Sequence, residues 1–408
     1  MTKKIPLGAA LTFMIIVAGI TFCITMMVSQ NYFNTMVLNV NERAAVYKKL
    51  SDVDRESRQN YAGQIDEEVL SDSISSGYVR GLGDKYSSYL TKDEYEEILQ
   101  EAAGQRVSIG VTVEKDATGY LKIKKVLAAS PAEQNGLKPG DLLISIDGTD
   151  LKTQSLVNGQ RLLKGQPGTK VSIVYRRDGV DTKSEIQRKE LEMEFVEYRM
   201  LDTNGYIKIS EFNSRTFEQF KKAVEELIRQ GATGLIFDVR DNNSDSIDAA
   251  NDMLDMLLPS GSLGEVVKKG QDVNLKNAAV SDKYEVALPM AVIMNGKTGC
   301  AAEYFAAVLR DFKQGTESLK RAQLVGTQSM GKSALQELRP LTDGSALKLT
   351  TAHFVTPEGT DIAGTGIKPD YEVKLTTEQE QAYDQLTDDT DPQIKKAAEV
   401  VNSKKAGQ

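Results

Sequence analysis

Apolar and polar positions change their spacing several times along this chain, and each change marks a different kind of structure. An uncharged run from Ile5 to Gln30, rich in Ile, Val, Leu, Phe and Met, follows Lys3 and Lys4. Its length matches the roughly 20 residues that a helix needs to cross a bilayer. The run is longer than the apolar centre of a cleaved leader, and no small-x-small pair stands cleanly after it, so it reads as a retained transmembrane anchor. The lysines before it hold the N-terminus in the cytoplasm and put everything after Asn31 outside. From Asn39 to about Ala103, Val46, Leu50, Val53, Ile65, Val69, Leu70 and Ile74 recur at three- and four-residue steps among charges. That spacing predicts a helical cap or stalk. Gly77 to Thr91, with its glycines and three tyrosines, interrupts the pattern before a further helix near Asp93.

Between Gln105 and about Glu190 the pattern shortens to strands, predicted at Val107–Val113, Leu121–Val126, Leu142–Ile146 and Val171–Tyr175. After Glu190 strands and helices alternate, as in an α/β domain. Strands are expected over Gly205–Phe212, Gly234–Val239, Met290–Met294, Leu324–Gly326 and Ala346–Val355, and helices over Thr216–Gln230, Ile247–Leu258 and Cys300–Phe312. The first of these helices puts Phe217, Phe220, Val224, Leu227 and Ile228 on one face. Beyond Thr376 the chain is polar and charged, with one helical stretch at Pro392–Val401.

Composition adds limits. A chain of 408 residues, 40% hydrophobic and 26% charged, holds two or three packed domains. A net charge of -8 argues against general nucleic-acid binding, which needs a basic face to displace counterions. Two cysteines, Cys23 in the apolar run and Cys300 far from it, make no disulfide framework. Cys300 follows the break at Asn295-Gly296 and opens a helical pattern, where free backbone N–H groups and the helix dipole lower a thiol pKa and suit a developing oxyanion. A free cysteine also serves as a small buried hydrophobe, and the residues alone leave both roles open.

Two resemblances narrow this. Ser108-Ile-Gly-Val111, followed by the segment from Ser130-Pro-Ala through Gly136-Leu-Lys-Pro-Gly-Asp141 to Asp147-Gly148, resembles a PDZ domain. Such a domain adds a peptide strand to an open sheet edge and captures the terminal carboxylate on backbone N–H groups, here those of Ser108, Ile109, Gly110 and Val111. Ser108 replaces the usual first glycine of that loop. From Asn39 to Val401 the chain resembles the C-terminal processing peptidases, or tail-specific proteases, on Gly83-Asp-Lys-Tyr-Ser-Ser-Tyr-Leu90, Gly205-Tyr-Ile-Lys-Ile209, Gly234-Leu-Ile-Phe-Asp-Val-Arg240, Ser329-Met-Gly-Lys-Ser-Ala-Leu-Gln336, Asp343 to Ala352, Thr356-Pro-Glu-Gly359 and Gly366-Ile-Lys-Pro-Asp370.

The resemblance implies a mixed α+β protein in five parts. These are a cytoplasmic stub and anchor (1–38), a helical N-terminal region (39–104), a PDZ domain built as a small β-barrel with helices (105–190), an α/β peptidase core with a mixed sheet (191–375) and a helical tail (376–408). It also implies a serine nucleophile, a lysine base and a glutamine that orients the amine. These roles fall on Cys300, Lys332 and Gln336. The oxyanion donors fall on the backbone N–H groups of Ala301, Ser244 and Asp245. No metal or cofactor is implied. The partners are protein C-terminal tails and the membrane, not nucleic acid, and a homo-oligomer is compatible with this reading.

Two positions depart from the family pattern. Cysteine stands where serine is usual, and a thiol beside a lysine could form a thiolate–ammonium pair. The oxyanion loop reads Asp241-Asn-Asn-Ser-Asp245, with Ser244 and Asp245 in place of two glycines, and a carboxylate there opposes a developing oxyanion. Cys300 is thus open to three readings: working nucleophile, weakly active relic or packing residue. The lone histidine, His353, is expected to be structural, and Arg240 an ion-pair residue at a strand end. Lys313 to Arg321 reads as an inserted surface loop. The whole is expected to be an extracytoplasmic endopeptidase, with a non-hydrolysing peptide-binding protein as the rival.

Overall fold

The computed structural model describes residues 7–36, 40–104, 106–268, 278–279, 286–314, 317–318 and 321–405. They fall into two compact units, Met1–Ser73 and Ile74–Gln408. In the first, helix Leu7–Met36 contains an uncharged 18-residue stretch, Thr12–Ser29, none of it buried in protein. A helix apolar on every side is stable only where its surroundings are apolar too. The next helix, Val40–Asn60, is charged, and Arg58 near its end forks onto both carboxylate oxygens of Glu67 at 2.6 and 2.8 Å.

The second unit is built on a six-stranded sheet in the order Val196–Leu201, Asn204–Ile209, Leu235–Asp238, Met290–Met294, Ala322–Gly326 and Tyr371–Glu372. The first pair is antiparallel and the rest are parallel. Every residue of Leu235–Asp238 and Met290–Met294 is buried, as central parallel strands require when both sheet faces are covered. Helices Thr216–Arg229, Ile247–Leu257 and Ala301–Asp311 cover one face. There Phe212, Phe220, Phe237 and Phe305 form a ring cluster with centroids 5.5 to 6.4 Å apart. Helix Pro392–Lys405 covers the other, placing Ile394, Ala397, Val400 and Val401 on Ile236, Ala291, Ile293 and Val325. The stretch read as a polar tail therefore supplies a whole layer of the core.

A second sheet joins Ser88–Leu90, Ala346–Val355 and Glu265–Lys268, with Ala334–Pro340 also paired to Ala346–Val355. The tyrosine-rich turn thus becomes a strand that enters the sheet beside Leu347. A third sheet, running Val111–Lys115, Leu121–Val126, Leu142–Ile146, Lys170–Arg177 and Val180–Gln187, wraps a core of its own. It does not close on itself, so the small barrel expected here is an open sheet with Val111–Lys115 at one edge. The predicted strand Val107–Val113 is two strands, because Gly110 turns the chain at φ +88° and sends Arg106–Ser108 to pair with Lys189–Leu191 instead. Within the expected loop Lys313 to Arg321, Lys313–Gln314 pairs with Glu317–Ser318 and reaches Ser262. The expected loop thus carries short paired strands; residues 315–316 and 319–320 lie outside the described residues.

Candidate active site

Three neighbouring parallel strands, Leu235–Asp238, Met290–Met294 and Ala322–Gly326, end on one edge of the central sheet. Their following loops carry Ser244 and Asp245, Cys300, and Lys332 respectively. The carboxyl edge of such a sheet is where α/β folds bring loop chemistry together. Backbone and side-chain hydrogen bonds lace the loops. Thr298 Oγ1 donates to the Val239 carbonyl at 2.9 Å, Gly299 N to Asn242 O at 2.9 Å, and Met330 N to Thr298 O at 2.9 Å. Cys300 caps helix Ala301–Asp311 with φ +46° and ψ -113°. A non-glycine residue held there costs on the order of 1–3 kcal/mol, which the surrounding packing must offset.

The tie between the cysteine and lysine loops is Glu303, fully buried two residues into that helix. One carboxylate oxygen accepts from the backbone N–H of Cys300 (3.2 Å) and of Lys332 (2.8 Å). The other accepts from Gly331 N at 2.6 Å and from the Ser329 hydroxyl. Burial pushes the Glu303 carboxyl up, and these donors only partly oppose it. Gly331 makes the approach feasible, since its φ is +78° and a Cβ there would stand 2.7 Å from Gly366 N. Glu303 is a site residue not singled out from the sequence; the signal available was a carboxylate three residues after a helix cap, the spacing that reaches back to the cap's N–H.

Cys300, Lys332, Ser244 and Asp245 are brought together, but their hydrogen bonds lead away from a thiol–amine pair. The Cys300 thiol donates to the Ala334 carbonyl at 3.6 Å. Lys332 Nζ donates to Asp245 Oδ1, and Lys348 Nζ to Asp245 Oδ2 at 2.7 Å. Burial pushes the Asp245 carboxyl up, yet the Lys348 charge and the hydrogen bonds from both lysines outweigh it and hold the group below the usual carboxylate range. Burial, followed by the Asp245 charge, pushes the Cys300 thiol up to about 12, against the pull of Lys332. The lowering expected from the helix start is therefore overturned, because burial and a neighbouring carboxylate outweigh the Lys332 charge and the Ala301 backbone N–H. The Ala301 N–H, one expected oxyanion donor, donates to the Ser244 carbonyl at 3.0 Å.

Gln336 lies at a register shift in strand Ala334–Pro340, and its amide donates to the Tyr86 carbonyl rather than toward the lysine. The Tyr86 ring itself stands 5.5 Å from Lys332 Nζ, so the tyrosine-rich turn forms one wall of the lysine's surroundings. Tyr86 and Lys348 were not singled out as site residues from sequence. His353 Nδ1 faces the Ser333 hydroxyl at 3.4 Å. Arg240 is buried in ion pairs with Asp238 and Asp391.

With the thiol pushed up to about 12 by burial and the Asp245 charge, very little of it is thiolate at pH 8. Iodoacetamide should accordingly alkylate Cys300 in the folded chain at least about a hundredfold more slowly than an exposed thiol at that pH, read by mass spectrometry of the Cys300 peptide.

In the strand-rich domain, Ser108, Gly110 and Val111 line a cleft of about 1590 Å3 that also meets Leu163 and helix Lys92–Ala102, whereas Ile109 is fully buried in the domain core. Gly110 is required, since a Cβ there would fall 2.3 Å from Ser130 Cβ. The Ser108 hydroxyl donates to Leu163 O at 3.4 Å. Lys164 bridges to Glu97 and Glu101, fixing the helix wall of the cleft.

The structure thus joins a mixed α/β core, whose strand-end loops bring Cys300, Lys332 and Asp245 together, to an inserted domain with an open strand edge. Comparisons with known proteins cover both parts. The model of peptidase family S41 matches residues 203–373 and that of the PDZ domain residues 122–177. A "Probable CtpA-like serine protease" of Staphylococcus haemolyticus is 27% identical over 96% of this chain and 77% of its own length. One of the same description from Staphylococcus aureus (strain COL) is 28% identical over 81% of this chain, which spans 64% of that relative. The solved photosystem II D1 C-terminal processing protease is 24% identical, with a TM-score of 0.49 over 78% of this chain and 86% of that one. Residues 203–373 thus match peptidase family S41 and residues 122–177 the PDZ domain, and the chain is similar over most of its length to CtpA-like serine proteases.

Proposed function

We propose that this chain is a membrane-anchored endopeptidase working outside the cytoplasm, which takes unstructured protein tails through its PDZ groove and cleaves them with Cys300, Lys332 and Gln336. The observation that carries the reading is the Glu303 carboxylate, which binds the backbone of Cys300 and of Lys332 at once and so keeps the two loops in a fixed relation. In the reaction, the thiol proton passes to the Lys332 amine while sulfur bonds to the scissile carbonyl carbon. The lysine then protonates the departing nitrogen as the peptide C–N bond breaks. Water attacks the thioester, giving up one proton as the new carboxylic acid leaves and the thiol re-forms. Donors from Ala301 N and the 244–245 backbone would stabilise the oxyanion. The exposed apolar stretch Thr12–Ser29 supports the anchor, and the preceding lysines support its orientation.

A second reading, a non-hydrolysing protein that only binds tails, is favoured by the Asp245 ion pair on Lys332 and by the Ser244 carbonyl on the Ala301 N–H. The test is peptide cleavage by the full chain in detergent, comparing the parent with Cys300→Ser, Cys300→Ala and Lys332→Ala. The peptidase reading expects cleavage by the parent that falls at least a hundredfold in Cys300→Ala and in Lys332→Ala. Cleavage by none of the four selects the binding reading. A gain confined to Cys300→Ser identifies a relic site one substitution from activity.

A further inference from the structure

We infer that Asp245 is an intramolecular latch, whose carboxylate clasps Lys332 and Lys348 while its loop stoppers the Ala301 N–H, so that the site stays shut until the clasp opens. The inference rests on Cys300 and Lys332 being the reacting pair. Three contacts of one short segment support it. The carboxylate of Asp245 bridges two lysines, Lys332 just before strand Ala334–Pro340 and Lys348 in Ala346–Val355, with one oxygen on each. The neighbouring Ser244 carbonyl takes the backbone donor that an oxyanion would need. The same segment is pinned on both sides: the Ser244 hydroxyl donates to Asn242 Oδ1 at 2.8 Å and accepts from Phe212 N at 2.9 Å, and Ile247 N donates to the Asp245 carbonyl at 3.0 Å.

These contacts act on the chemistry in one direction. A lysine whose ammonium is ion-paired is a poor base, and a thiol facing a carboxylate resists becoming an anion. The charged groups around the thiol are Asp245 and Lys332, with Lys348 behind Asp245 and Glu303 beneath the Cys300 backbone. Of these, Asp245 is the one that opposes the thiolate while also holding the lysine. The Asp245 side chain is 28% exposed and that of Lys348 24%, so the clasp can be reached from solvent, in contrast to a buried structural pair. The two lysines together suit a carboxylate, and a carboxylate from outside should take the place of the Asp245 side chain once that is gone.

The test reads the latch without requiring hydrolysis. In the full chain in detergent, on a Cys23→Ser background so that only Cys300 reports, iodoacetamide alkylation is followed from pH 6 to 12, a range that reaches the parent thiol's own titration, for the parent, Asp245→Asn and Asp245→Gly. Both variants are expected to react at least tenfold faster at pH 8, with the midpoint of the profile moved to lower pH. Sodium formate should slow Asp245→Gly back toward the parent and leave the parent unchanged. Profiles that superimpose on the parent overturn the latch. So does faster alkylation with no movement of the midpoint, because loosened packing alone produces that result. Since peptide cleavage is measured separately, a chain that alkylates as expected yet cleaves nothing retains the latch and loses the peptidase reading.

Discussion

Arg240→Met is expected to lower the unfolding free energy of the Ile74–Gln408 unit by about 3–5 kcal/mol, the cost typical of leaving one buried charge without its partner. Asp238 is fully buried at the end of a central strand, and Arg240 supplies it with Nε bonds at 2.9 and 3.0 Å and a further Nη2 bond at 2.5 Å. The same guanidinium reaches Asp391 at 2.7 Å and Gln393 at 2.9 Å. Methionine fills much of the volume and removes every one of these bonds, leaving Asp238 with the Tyr206 hydroxyl at 2.6 Å and the residue-240 backbone N–H. The chain has no tryptophan, so the measurement is denaturant unfolding followed by far-ultraviolet circular dichroism. The pH dependence has a definite sign. Burial pushes Asp238 up, but Arg240 and its hydrogen bonds prevail and hold the carboxyl below the usual range. The parent therefore has this contribution in full above an ordinary aspartate value and loses it as pH falls through the depressed folded value. Arg240→Met should abolish that acid-side loss.

Glu303→Gln is the second large effect. The carboxylate accepts four hydrogen bonds, and a glutamine amide presents one oxygen and one NH2 group to the same four donors. At least two donors then face another donor or nothing, at about 1–3 kcal/mol each, so a loss on the order of 2–6 kcal/mol is expected. Here the pH dependence runs the opposite way. Because burial raises the Glu303 carboxyl, the folded chain keeps a proton that the unfolded chain has released, and its contribution declines as pH rises from the ordinary value near 4.5 through the raised folded one. Thermal unfolding across pH 4 to 8 should show that decline in the parent and lack it in Glu303→Gln. The variant should also raise the reactivity of Cys300, since the cap that holds the residue in its left-handed conformation is gone.

What the sequence disclosed was set by the range of the interactions involved. Buried runs such as Met290–Met294 and the amphipathic helix at Phe220, Val224 and Leu227 announce themselves through local periodicity, and the structure has them within a residue or two. The motif resemblance likewise directed attention to Cys300, Lys332 and the 241–245 loop, because spacing along the chain survives translation into sequence. The outcome at that loop depended on side chains that meet only after folding. Nothing near Asp245 in sequence announces Lys332, 87 positions on, or Lys348, 103 positions on. At a helix start, the helix alone would favour a reactive thiol at Cys300. Once Asp245 and full burial are included, the sign reverses. The Pro392–Val401 stretch looked like a tail for a related reason: its charges are local and visible, whereas the apolar face it covers is assembled from four distant strands.

That helix has a consequence in time as well as in space. During synthesis, strands Asn204–Ile209, Leu235–Asp238, Met290–Met294 and Ala322–Gly326 all emerge before Pro392–Lys405, so one sheet face, with Ile236, Ala291, Ile293 and Val325, waits uncovered. The Arg240 guanidinium waits too, its contacts to Asp391 and Gln393 unmade. A nascent chain stalled short of Asp391 would thus expose an adhesive apolar surface and a half-paired buried cation, and is a natural client for holding chaperones until the final helix arrives.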